Sequence, residues 1–286
     1  MSIRIITDSG ADIPQGTGTM SRDDLTILPM HVYFGEKEFL DGVNLTHHQF
    51  YELLIESEEL PKTSQIPPYE FEQVYEQAVT AGEQVIAITI SSKLSGTYQS
   101  ACVAAEDYEG KVYVVDSLNA TLGERCLVDY ALRLKDQGKG AEEIVAELQQ
   151  ARSRIRLLAL LDTLEYLKKG GRISKSVAMV GGMLSIKPVV SVVDGEVVMV
   201  GKARGSRNGN NLLVQEIEKA GGVDYSMPYY LGYTGLDDHL LQKYVEDSRA
   251  LWESHVDQLH ATTVGGTIGT HVGPGAIGVF FFAANE

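Results

Sequence analysis

Cysteine is scarce in this chain, and Cys102 and Cys126 stand alone, with no Cys-x-x-Cys pair and no Cys/His spacing around them. That excludes a disulfide framework and a structural zinc site, and fits two small apolar core residues in a reducing compartment. Long apolar runs are missing too. The longest nearly uncharged one, Val272 to Ala284, falls well short of the ~20 residues of a membrane helix. The N-terminus turns charged at Arg4, too soon for the apolar region of a signal peptide, so a cytoplasmic protein is expected. Basic residues are in deficit: 24 Lys and Arg stand against 39 Asp and Glu, for a net charge of −15. Nucleic acids and anionic membranes are gripped by accumulated positive charge, which excludes the first as a partner and leaves only transient contact with the second. Neither a Gly-x-x-x-x-Gly-Lys-Ser/Thr loop nor a His-Glu-x-x-His pair occurs. Gly273, Gly275 and Gly278 spell Gly-x-Gly-x-x-Gly, yet a strand pattern follows where a dinucleotide site needs a helix. No metal and no cofactor of its own is expected.

What is present is an ordinary globular composition, 286 residues of which 44% are hydrophobic and 22% charged, enough for roughly two domains. Short β-branched runs alternate with amphipathic stretches, the pattern of an α/β protein. Strands are expected at Ile3 to Thr7, Ile27 to Phe34, Gln84 to Ile90 and Lys111 to Asp116. Helices are expected at Thr46 to Ser57, with Thr46 and Gln49 in capping-box spacing, then Pro67 to Ala81, Gly96 to about Asp107, Asn119 to Gln137 and Ala141 to Arg154. Further strands follow at Arg156 to Leu161, Lys187 to Val193 and Glu196 to Val200, the last two joined by the hairpin dipeptide Asp194-Gly195. Helices near Leu212 to Ala220 and Asp237 to His255, with strands at Tyr229 to Tyr233, Gln258 to Val264 and Ile277 to Ala283, complete the pattern. A boundary near residue 155 gives two α/β domains, 1–155 with a mainly parallel sheet and 156–286 with a mixed one.

Ligands of open α/β sheets sit beyond the carboxyl ends of the strands, and three strands here end in Asp8-Ser9, Ser91-Ser92 and Asp116-Ser117. Each pair is also an ordinary turn or cap. The segment Ile90 to Ala101 runs from strand through loop into helix, with Ser95 at the helix start and Gly96 open to close approach. Plain capping and binding of an anion by free N–H groups both fit it. A nucleophilic Ser95 would lack the Gly-x-Ser-x-Gly elbow. Gly265 to Gly278 is glycine-dense and reads as a loop, in which His271 is placed to face a polar ligand or a partner. Charge is uneven as well: eleven basic and four acidic residues lie between Arg152 and Arg207, either a solvated face or a surface for an acidic partner or phosphate.

Thr7-Asp8-Ser9, Lys62-Thr63-Ser64-Gln65, Ser91 to Ser100, Leu164 to Ser174 with Lys168-Lys169-Gly170-Gly171-Arg172, and Gly269 to Gly275 together closely resemble the DegV family over nearly the whole chain. The resemblance implies two α/β domains holding one long-chain fatty acid between them. It implies a carrier subunit rather than an enzyme, with a separate dihydroxyacetone-kinase-like fatty acid kinase converting the bound carboxylate to an acyl-phosphate for phospholipid synthesis. By motif position, Thr63, Ser95, Gly96 and His271 would bind the carboxylate, while Arg172, Lys202 and Arg204 would face the kinase or the new phosphate. Ala178, Met179, Met183, Leu184 and Ile186 are candidates for lining the tail. The competing expectation is a hydrolase or transferase that uses Ser95 with His271 on a small carboxylate or acyl substrate.

Overall fold

The computed structural model describes residues 2–14, 22–174, 186–255 and 259–284. The strands are β1 (Ile3–Asp8), β2 (Leu25–Leu28), β3 (His31–Phe34), β4 (Lys37–Leu40), β5 (Lys62–Ser64), β6 (Gln84–Thr89), β7 (Val112–Asp116), β8 (Ile155–Leu160), β9 (Ile186–Val193), β10 (Glu196–Arg204), β11 (Tyr229–Tyr233), β12 (Ala261–Thr263) and β13 (Ile277–Phe282). The helices are α1 (His47–Glu56), α2 (Pro68–Thr80), α3 (Thr97–Ala105), α4 (Thr121–Asp136), α5 (Ala141–Ala151), α6 (Glu165–Lys169), α7 (Ser206–Lys219), α8 (His239–Asp247), α9 (Arg249–Trp252) and α10 (Gly266–Val272).

The protein is α/β and stacks in layers. A parallel sheet in the order β2-β1-β6-β7 carries α2 and α3 on one face and α4 and α5 on the other. Because both faces are covered, its strands read as nearly unbroken apolar runs. A mixed sheet in the order β10-β9-β8-β13-β11-β12 packs on the far side of α4, and α7 and α8 cover its outer face. One apolar cluster joins Ile5 and Ile86 of the first sheet, Leu122 and Leu127 of α4, and Leu157 and Phe280 of the second. α4 is therefore buried on both sides. Its one deeply placed cation, Arg125, lies over the Tyr230 ring at 4.1 Å.

Local signals are realised where local physics decides. Thr46 and Gln49 form a reciprocal capping box at the start of α1. Asp194 and Gly195, with φ of 50° and 83°, supply the two positive values that a two-residue turn between β9 and β10 requires. Other expectations are corrected. The run Ile27 to Phe34 is two strands, broken around Pro29: β2 joins the parallel sheet, while β3 enters a third, antiparallel sheet in the order β4-β3-β5. Proline cannot donate to a ladder, so a chain that crosses from one sheet to another turns there. The stretch Asp237 to His255 is likewise two helices that meet at Ser248, and α7 begins at Ser206, ahead of the expected Leu212.

The glycine-dense run is the largest correction, because Gly266 to Val272 is helix and His271 sits in its last turn. Glycine disfavours helix, but here each missing Cβ makes room for a neighbour. A Cβ on Gly269 would lie 2.6 Å from the Phe50 ring, and one on Gly265 would lie 2.9 Å from Asp12 Oδ1; one on Gly273 would strike the Tyr166 ring. α10 is thus held by α1, α6 and the loop after β1 at backbone distance.

Candidate functional site

α10 starts on two buried carboxylates from the first half of the chain. Asp12 Oδ1 accepts the Gly265 N–H at 2.7 Å, and the two oxygens of Asp41 accept those of Gly266 and Thr267, each at 3.0 Å. These bonds satisfy amides that a helix start leaves open. Asp12 is itself held by the Thr121 hydroxyl at 2.6 Å, and both residues have φ of 50°. A β-branched residue held there is strained by about 1–3 kcal/mol, so the surrounding contacts must impose it. Burial raises Asp12 to about 8 and Asp8 to about 7, although both accept backbone N–H groups.

At its other end α10 delivers His271 to a cavity whose lining is drawn from both halves of the chain. Thr63, Ser95, Arg172 and His271 all line it. His271 Nε2 and Thr63 Oγ1 are 2.8 Å apart, while Nδ1 is buried beside Gly170 with no hydrogen-bond partner among the described residues. Burial, helped by the Arg172 charge, pushes the imidazole down to about 4, so it is neutral at pH 7. Ser95 Oγ contacts Thr97 Oγ1 at 2.9 Å and accepts the Thr97 N–H at 3.3 Å. Arg172 is half-buried. Its Nε donates to the Leu94 carbonyl at 3.1 Å and its Nη1 to that of Gly170 at 2.6 Å, and no carboxylate pairs with it among the described residues. Burial lowers its affinity for the proton.

Four residues named from sequence therefore converge. Others lie elsewhere. Gly96, rather than Ser95, stands at the cap position of α3, and the Gln65 side chain covers its Cα and reaches Ser100 Oγ at 3.0 Å. Lys202 and Arg204 are exposed, two residues apart on β10, and do not line the cavity. Ile186 lies on β9 without lining it either, and Ala178, Met179, Met183 and Leu184 fall outside the described residues. Among the described residues the apolar walls include Leu157 and Ala159 of β8, Val190 and Val192 of β9, Val197 of β10 and Phe280 of β13. Inward alternation along these strands is the signal that marks them in the sequence. Ser95 and His271 share the cavity, but the ring nitrogen that reaches a hydroxyl reaches Thr63. Among the described residues no group of three or more His, Cys, Asp or Glu could hold a metal ion, and no helix is long and apolar enough to cross a membrane.

The sequence model of the DegV family, a family described as uncharacterised, matches residues 2–284. This chain belongs to the DegV family. A DegV domain-containing protein of Caldanaerobacter subterraneus is 34% identical over 282 residues, 98% of either chain. Among solved structures, this DegV chain is similar to a DegV family protein of Thermus thermophilus described by its fatty acid binding, with a TM-score of 0.88 and 30% identity over 99% of this chain and 100% of that one. It is also similar to a stearic-acid-binding protein of Eubacterium ventriosum, with a TM-score of 0.83 and 28% identity over 98% of each.

Proposed function

We propose that this DegV-family protein binds one long-chain fatty acid and presents its carboxylate to a separate ATP-using kinase for acyl-phosphate formation and phospholipid synthesis, without catalysing that step itself. One observation carries the reading: a mostly apolar cavity has Thr63, Ser95, Arg172 and His271 close together in its lining, Thr63 against His271 and Arg172 bonded to the Leu94 carbonyl next to Ser95. The fatty acid binding described for the Thermus and Eubacterium proteins supports it. In this reading residues 1–155 bring Thr63 and Ser95 to the head group. Residues 156–286 wall the tail and add His271 and Arg172, with Lys202 and Arg204 outside to meet the kinase.

The energetics explain the division of labour. At ~0.8 kcal/mol per methylene, a sixteen-carbon tail gains on the order of 11 kcal/mol on leaving water. A bilayer offers about the same per methylene, so head-group bonds decide whether the protein holds the lipid. A proton on His271 Nδ1 would be a buried donor without an acceptor, so the neutral ring carries it on Nε2 and donates to Thr63 Oγ1. The Thr63 hydroxyl is then free to donate to the carboxylate, beside Ser95. Isothermal titration of lipid-stripped protein with palmitate tests this. One-to-one binding by the wild type, lost in Thr63→Ala/Ser95→Ala, is expected. Absence of palmitate binding by the wild type would overturn the proposal.

A further inference from the structure

We infer that Phe280 sets the length of acyl tail this protein accepts, an inference that rests on the fatty-acid reading above. Strand register places Val190, Ala159, Gly278 and Gly232 side by side across β9, β8, β13 and β11, on the face that lines the cavity. Three of these four have no side chain beyond a methyl. The next row on the same face holds Leu157, Phe280 and Tyr230. The Phe280 ring leans out of its own row over the paired glycines: a Cβ on Gly278 would lie 2.7 Å from its Cζ, and one on Gly232 would lie 3.2 Å from its Cε2. On the same face, Leu122 Cδ1 of α4 would lie 2.8 Å from that Gly232 Cβ.

Phe280 is 3% exposed and packs with Leu157, Val192 and Leu122 in the cluster shared by the two sheets. Ala276, immediately before β13, packs instead with Leu167, which lines the cavity, and with Ile173, which adjoins Arg172 in the chain. At ~3.3 Å per residue, β13 carries Phe280 about 13 Å beyond Ala276. The ring therefore stands across the apolar end of the cavity, and its height above the sheet depends on Gly278 and Gly232 having no side chains. A smaller residue at 280 opens space for further methylenes. A methyl under the ring, in Gly278→Ala, lifts it toward the tail.

The test is competition among saturated fatty acids of graded length, from twelve to twenty carbons, for wild type, Phe280→Leu and Gly278→Ala, with thermal unfolding to establish that each variant folds. The tightest-binding chain is expected to lengthen by about one carbon in Phe280→Leu and to shorten in Gly278→Ala, with about fourfold in affinity lost for each methylene no longer accommodated. Should Gly278→Ala fail to fold, Phe280→Met replaces it, with a shift in the same direction as Phe280→Leu. Length profiles of unchanged shape in the folded variants overturn Phe280 as the gauge and leave the fatty-acid reading standing. A wild type that binds none of these acids overturns both.

Discussion

The two ends of the cavity are built by opposite means. The polar end draws Thr63 from a three-residue edge strand, Ser95 from a loop, Arg172 from the turn after α6 and His271 from a seven-residue helix. It is held by a few hydrogen bonds and buried carboxylates rather than by area. The apolar end is one face of the mixed sheet, where strand pairing fixes every position. Under the proposed function, the contrast makes recognition of a head group depend on the registration of distant segments, and recognition of a tail on side-chain volume in a rigid wall.

Substitutions can break or sharpen that contrast. The largest effect is expected from Thr63→Ala/Ser95→Ala, which removes the two proposed hydrogen bonds to the carboxylate, worth roughly 1.5–3 kcal/mol each, a loss of about 10²- to 10⁴-fold in palmitate affinity by titration calorimetry. Ala159→Val, which narrows the tail wall by two carbons, should cost only about 15-fold in the same assay. Equal losses for the two would erase the distinction. Asp41→Ala strips the acceptor from Gly266, Thr267 and Ser9, and chemical denaturation should show about 3 to 5 kcal/mol of lost stability.

The pH dependence of His271 separates the two ends further. Its folded value, about 4, lies below the ordinary 6.5, so the unfolded chain takes up a proton that the folded one refuses. This contribution to stability is present above pH 6.5 and is lost as pH falls toward 4, by about 3 kcal/mol at the limit. Histidine NMR signals of the ligand-free protein should show no titration of His271 above pH 5; a midpoint near 6.5 would mean that the ring is solvated. The smallest effect on the lipid is expected from Arg204→Ala, which lies outside the cavity. Palmitate affinity should stay within about twofold, while acyl-phosphate formation by a matching kinase slows. Equal phosphorylation rates would remove Arg204 from the docking face.

How much of this could be read from the sequence follows from how local each feature is. The capping box at Thr46 and the Asp194-Gly195 turn need only their immediate neighbours, and both are where the pattern puts them. α10 was hidden because its helicity comes from Phe50, Tyr51 and Tyr166 packing against bare backbone, and from Asp12 and Asp41, more than 200 residues away, capping its start. The split of Ile27 to Phe34 was hidden because two strands on either side of Pro29 look like one when their sheets are unknown. Thr63, Ser95, Arg172 and His271 were nameable from motif strings, but their meeting in one cavity is a tertiary fact. Ile186 is not in the lining, and the described tail wall lies on inward positions of β8, β9, β10 and β13, which look like ordinary core until the cavity between them is seen.

The most direct measurement is mass spectrometry of solvent extracts from the natively purified protein. About one long-chain fatty acid per chain is expected, reduced to background in Thr63→Ala/Ser95→Ala. Extracts of the wild type without fatty acid, together with no uptake of added palmitate or oleate, would contradict the assignment of this cavity to a fatty acid.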